Sequence, residues 1–130
     1  MISENEARAW MQAYGDAWIT QDPDKIVRLY TKDAGYRERR FHPGIRSVQQ
    51  IWDYWDLIVR ELQRDVGFEI LSVAVSGDTA FANWRSHFTW RPINGVMELD
   101  AMSRIQFSSE TANGLRLASN FEEWIDHREA

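Results

Sequence analysis

The side chains able to do chemistry in this 130-residue chain are few in kind, and that narrows the reaction types at once. There is no cysteine, so neither disulfides nor thiol chemistry are available. His42, His87 and His127 stand far apart, with no H-x-x-x-H spacing and no carboxylate-rich ligand set, so no metal is expected. No glycine-rich phosphate loop is present, so no nucleotide and no other cofactor is expected. Carboxylates and phenols among aromatic rings remain. Glu38 follows Tyr36 at the spacing that puts both on one face of an extended segment. Tyr14 and Trp18 lie one helical turn apart, and Asn120, Glu122 and Trp124 alternate along the last apolar segment. A break in the alternation near Ser119 places these three on the interior face. Glu38 and Glu122 then form a carboxylate pair able to divide acid and base roles. Burial would raise such a carboxyl toward neutral pH, where a general base works best. The bland reading of Glu38 is a carboxylate neutralising Arg37, Arg39 or Arg40.

The composition supplies the walls for such a site. The chain has 7 Trp, 6 Phe and 4 Tyr, so Trp is as frequent as Leu, which is normally among the commonest residues. Apolar residues make up 44% and the net charge is −5, so the chain folds, and nucleic acid is disfavoured as a partner. No 18-residue apolar run exists to enter a membrane, and the N-terminal segment lacks the pattern of a signal peptide. A cytoplasmic location is expected. The length suits one domain over residues 1–130.

The elements that must position these residues follow from spacing. Ser3 and Glu6 form a capping box, and Ala7, Trp10, Met11, Tyr14, Ala17 and Trp18 make one face of a first helix. Asp22-Pro23 opens a short second helix ending near Tyr30. A strand is expected from Asp33 to Phe41, then a turn at His42-Pro43-Gly44. Ser47 caps a third helix with Val48, Ile51, Trp52, Trp55, Ile58, Val59 and Leu62 on one stripe. Four strands follow, at 66–76, 79–91, 96–108 and 115–125, with a polar loop at 109–114. Ala80, Ala82, Trp84, Ser86, Phe88 and Trp90 share one face of their strand, and Met97, Leu99, Ala101, Ser103, Ile105 and Phe107 one face of the next. Helices first and an antiparallel meander last define an α+β fold. Trp18, Tyr30, Trp84, Ser86, Phe88, Trp90, Asn120, Glu122 and Trp124 are the candidate lining of an apolar pocket; the same faces could also pack as a filled core. Trp10, Trp52 and Trp55 read as packing or lid residues.

The chain resembles the SnoaL-like family of the nuclear transport factor 2-like superfamily. The resemblance rests on A-Y-G-D-A-W at 13–18, D-P-D-K-I-V-R-L-Y at 22–30, D-A-G-Y-R-E at 33–38, I-W-D-Y-W at 51–55, G-D-T-A at 77–80, E-L-D at 98–100, I-Q-F at 105–107 and F-E-E-W at 121–124. It implies a cone-shaped curved antiparallel sheet packed against three N-terminal helices, and a homodimer formed through the outer sheet face. That face carries Arg85, His87, Glu98, Asp100 and Arg104 with Phe81 and Met102. Resemblance to the ketosteroid isomerases of the superfamily implies Glu38 as the proton-transfer base and Tyr14 as the phenol that holds the developing oxyanion. Those isomerases place a protonated Asp where this chain has Ser103, a weaker donor; the arrangement is a standard illustration of pKa tuning. The expected activity is cofactor-free general acid–base catalysis, of isomerase, cyclase or dehydratase type, on a small hydrophobic carbonyl compound. The alternative is a non-catalytic protein that holds a small ligand or acts as an accessory dimer.

Overall fold

The computed structural model describes residues 1–38 and 44–130, and the expected turn at His42-Pro43, like the end of the preceding strand at Phe41, lies outside them. Helix α1, Glu4–Ile19, starts at the expected capping box, and α2, Pro23–Val27, starts at Asp22 with Pro23 in its first turn. Strand β1, Tyr30–Arg37, begins at Tyr30, earlier than the expected Asp33. Helix α3, Val48–Tyr54, is capped by Ser47 and then widens into a π-helical segment, Trp55–Glu61. The remaining strands are β2 (Gln63–Ser76), β3 (Thr79–Trp90), β4 (Gly95–Ala112) and β5 (Leu115–Glu129). The expected polar loop at 109–114 shrinks to a turn at Asn113-Gly114, both with positive φ (54° and 79°), the backbone that tight hairpin turns need.

The strands form one curved, open sheet in the order β1-β5-β4-β3-β2. Pairing is antiparallel except for β1, which lies parallel to β5. Helix α1 packs across the inner face and buries Trp10, Met11, Tyr14 and Trp18 against Trp84, Phe107 and Phe121. The architecture is thus α+β, with helices closing the concave side of a sheet. No helix of the described residues is long and apolar enough to cross a membrane.

Large indoles can be buried only where the ring N–H finds an acceptor. Trp10 donates to the Leu29 carbonyl at 3.0 Å, Trp18 to Gln63 Oε1 at 2.7 Å and Trp84 to Ser103 Oγ at 2.8 Å. The interior is therefore built from rings pinned at one edge by a hydrogen bond and packed on their faces.

One local irregularity decides what the last strand presents to this interior. Gln106 pairs with Asn120 and Phe107 with Ala118, leaving Ser119 as the extra residue of a bulge. The bulge sits where the sequence places it, but its parity is opposite to the expectation. Ala118, Phe121 and Glu123 point inward and are buried, whereas Trp124 is 41% exposed on the outer face. Phe121 settles the register: its ring stacks on Tyr14 and on Tyr36, each at 5.2 Å between centroids. Replacing Phe121 by Ala should therefore cost about 3–5 kcal/mol of stability, measured as a fall in the urea midpoint at unchanged slope. A loss under 1 kcal/mol would show that the ring does not hold the register.

Candidate active site

Beneath α1 and the π-helical segment lies a cavity of about 170 Å³. Tyr14 and Trp18 of α1, Trp55 and Val59 of the π-helical segment, and Phe88 and Trp90 of β3 make its aromatic and apolar walls. Its polar groups are Tyr36, Glu38, Tyr54, Glu123 and Gln63. The volume suits a ligand of one or two small rings.

Tyr36 is the hub of the polar groups. Its hydroxyl lies 3.3 Å from Glu38 Oε1 and 3.5 Å from Glu123 Oε1, and it accepts from Trp55 Nε1 at 3.4 Å. Tyr54 donates to the Glu38 carboxylate, its hydroxyl 2.6 Å from each oxygen. Glu38 stands just beyond the end of β1 and is half-buried, whereas Glu123, in the middle of β5, is 2% exposed.

The two carboxyls therefore differ in environment. Burial pushes Glu123 well above the usual carboxylate range, and the neighbouring charge of Glu38 pushes it further; the Tyr36 hydrogen bond opposes this weakly. A neutral Glu123 is an O–H donor. It can donate to Tyr36 while Tyr36 donates to Glu38, so that each hydroxyl gives one proton and accepts another. Tyr14, Tyr30 and Tyr36 are all raised well above the usual phenol range, first by burial, and so stay neutral donors. A hydrogen bond with Tyr36 links Tyr14 to the same chain.

The expected site residues separate into three groups. Glu38, Tyr14, Trp18, Phe88 and Trp90 come together around the cavity. Tyr30, Trp84 and Ser103 are buried outside its lining, with Ser103 Oγ occupied by the Trp84 indole and no partner for the Tyr30 hydroxyl among the described residues. Ser86 is buried too, but borders a separate groove with Phe68 and His87. Asn120, Glu122 and Trp124 are a correction, since all three lie on the opposite face of the sheet. There Arg104 binds Glu122 at 2.6 Å and Arg37 approaches it to 4.0 Å. Asn120 donates to Glu122 at 3.2 Å, and the Arg104 guanidinium sits 5.6 Å above the Trp124 ring. Arg37, expected as a partner of Glu38, thus faces Glu122. Arg39 and Arg40 lie outside the described residues.

Sequence reading did not single out Glu123, Tyr54, Trp55 and Gln63 as cavity residues. For Glu123 a signal exists: Phe121 and Ile125 flank it at the inward spacing, and the conspicuous Trp124 masks it. Trp55 lies on the apolar stripe that spacing gives, where it reads as a packing or lid residue, and Tyr54 lies off that stripe in α3.

Fold and site together define a partly open aromatic pocket on the inner face of the sheet. Residues 11–114 match the SnoaL-like domain, and the chain belongs to that family. No curated protein matches the chain. Among solved structures it is similar to a protein with a ketosteroid isomerase-like fold from Catenulispora acidiphila, in complex with trimethylamine (12% identity, TM-score 0.73, covering 88% of this chain and 83% of that one). It is also similar to a hexachlorocyclohexane dehydrochlorinase of type 2 (13% identity, TM-score 0.72, covering 98% and 93%). A nuclear transport factor 2-like superfamily protein from Salmonella enterica is a third (12% identity, TM-score 0.76, covering 93% and 89%). At such identities the likeness is one of fold.

The state of Glu123 has a consequence for stability. Its folded pKa lies above the ordinary 4.5, so the folded chain keeps a proton that the unfolded chain releases. Stability from this source is complete below that value and is lost as pH rises toward the folded pKa, by about 1.4 kcal/mol per pH unit. Glu123→Gln should abolish this slope, so that urea midpoints of wild type and variant diverge in the variant's favour from pH 4 to pH 8. A pH-independent difference would mean that Glu123 is ionised in the fold.

Proposed function

We propose that the protein is a cofactor-free general acid–base enzyme acting on a small hydrophobic carbonyl compound. The observation that carries this reading is Tyr36, placed between two carboxyls of different burial, half-buried Glu38 and fully buried Glu123, in an aromatic cavity. Two carboxyls with divergent environments are the usual basis for dividing base and acid roles. Glu38 removes the proton next to the substrate carbonyl. Negative charge then develops on the carbonyl oxygen, and Tyr36, turning its hydroxyl away from the newly protonated Glu38, and Glu123 donate hydrogen bonds to it, supported by Tyr14. The proton on Glu38 returns to another carbon, completing an isomerisation, or leaves with a departing hydroxyl, completing a dehydration. Glu123 takes the donor place that resemblance assigns to Ser103, its partner across the β4–β5 pairing. Apolar walls keep water away and strengthen each of these contacts.

The family's habit of pairing through the outer sheet face also suits this chain. Phe81 and Met102 stand exposed there beside Trp124, ringed by the Arg85–Asp100 and Arg128–Glu98 ion pairs. We infer a homodimer with an apolar centre and charged rim. Met102→Asp should shift the sedimentation coefficient from dimer to monomer with the circular dichroism unchanged; a wild-type monomer at micromolar concentration would remove the inference.

Catalysis is tested by proton exchange. In D₂O, wild type should speed deuterium uptake next to the carbonyl of cyclohexanone or 1-tetralone, followed by NMR. Glu38→Gln should lower this rate by about 10²-fold or more without altering the circular dichroism. No exchange by wild type in any cyclic ketone would favour the competing reading, a protein that holds its ligand by stacking alone.

A further inference from the structure

At the β2 edge of the sheet, opposite the β1–β5 edge that carries Tyr36 and Glu123, the cavity is lined by Gln63. This side chain is unusual in three ways. It is polar but only 4% exposed. Its orientation is unambiguous: the indole N–H of Trp18 lies 2.7 Å from Oε1, and because an indole nitrogen can only donate, the oxygen must face Trp18 and the amide nitrogen must face away. Its backbone is held as well, since its carbonyl accepts from Gln21 Nε2 at 2.6 Å and from Arg91 Nε at 3.2 Å. Among the described residues no hydrogen bond runs from Nε2, and Gln63 is one of the cavity's own lining residues.

A rigidly held amide on the cavity wall, with N–H donors that meet no acceptor among the described residues, calls for an explanation beyond packing. A substrate site explains it. Ring stacking against Trp18, Phe88 and Trp90 holds a flat apolar molecule but does not distinguish its ends. A fixed donor at one end and proton-transfer groups at the other do. We propose that Gln63 Nε2 is a recognition donor, and that the pocket takes a ring compound with two oxygens: the reacting carbonyl near Glu38 and an acceptor oxygen, a carbonyl or hydroxyl, at the far end. This rests on the acid–base reading only for which oxygen reacts; the recognition itself is a binding property. Because Gln63 is positioned before the ligand arrives, little side-chain freedom is lost when the bond forms. A compound without the second oxygen leaves the amide unpaired, which is how hydrogen-bonding sites reject analogues most strongly.

Equilibrium binding tests the proposal without turnover. Dissociation constants are measured by NMR titration for two pairs of probes, cyclohexanone against 1,4-cyclohexanedione and 1-tetralone against 6-hydroxy-1-tetralone. Wild type should bind the two-oxygen member about tenfold more tightly in at least one pair, as expected for one buried hydrogen bond. Gln63→Met, which keeps the shape and loses the donor, should abolish that preference; Gln63→Leu serves if the Met variant does not fold. Equal affinities within both pairs in wild type, including no measurable binding, overturn the proposal, as does a preference that survives in the folded variant. Loss of this proposal leaves Glu38-dependent deuterium exchange intact as a measurement, and absence of exchange leaves the binding preference to be read on its own.

Discussion

The interior is organised around the removal of one carboxyl from water. Glu123 sits on the inner face of β5, 2% exposed, where an ionised carboxylate would lose its hydration with little in return. Burial therefore pushes its pKa well above the usual carboxylate range, and the charge of Glu38 nearby pushes it further. The Tyr36 hydroxyl lies within hydrogen-bond reach of both carboxyls, 3.5 Å from Glu123 Oε1 and 3.3 Å from Glu38 Oε1. The surrounding rings are arranged so that this chain of hydroxyls is the main polar path through the aromatic core. Trp55, the ring edge nearest to it, gives its own N–H to Tyr36.

Two adjacent residues show how completely position governs chemistry. Glu122 and Glu123 are both carboxylic acids and both almost buried. Glu122 faces the outer side, where Arg104 and Arg37 compensate its charge and Asn120 donates a further hydrogen bond. Glu123 faces inward, where no salt bridge to it is found among the described residues and burial pushes its pKa up. The bulge at Ser119 decides which residue takes which role, because strand side chains alternate with period two and a single extra residue exchanges the faces.

The π-helical segment makes a comparable adjustment on the other wall. Trp55, Ile58 and Val59 of this segment line the cavity, and the Tyr54 hydroxyl just before it meets Glu38. Such insertions are costly in regular packing and occur often at functional sites. Here the segment lies directly above the cavity, between α3 and the first residue of β2, Gln63. The same short stretch of chain thus orients the proton-transfer end and the amide end of the pocket.

Much of this was legible in the order of the residues. Capping at Ser3, Asp22 and Ser47, the apolar stripe of α1, the hairpin turns and the alternation of β3 and β4 are short-range properties, set by side-chain size and backbone preference within a few residues. They suffice for the fold class, for the cavity positions of Tyr14, Trp18, Phe88 and Trp90, and for the pairing of Glu38 with Tyr36. Even the site of the bulge is written locally, as a break in alternation at Ser119. Its parity is not, because whether Trp124 or Phe121 enters the core depends on Tyr14 and Tyr36, which belong to α1 and β1 and meet β5 only in the folded chain. The identity of the buried acid, Glu123 rather than Glu122, follows from that contest. So do the engagement of Ser103 by Trp84 and the open amide of Gln63. Periodicity tells which residues share a face; only tertiary packing tells which face loses water, and loss of water decides which carboxyl has its pKa pushed up.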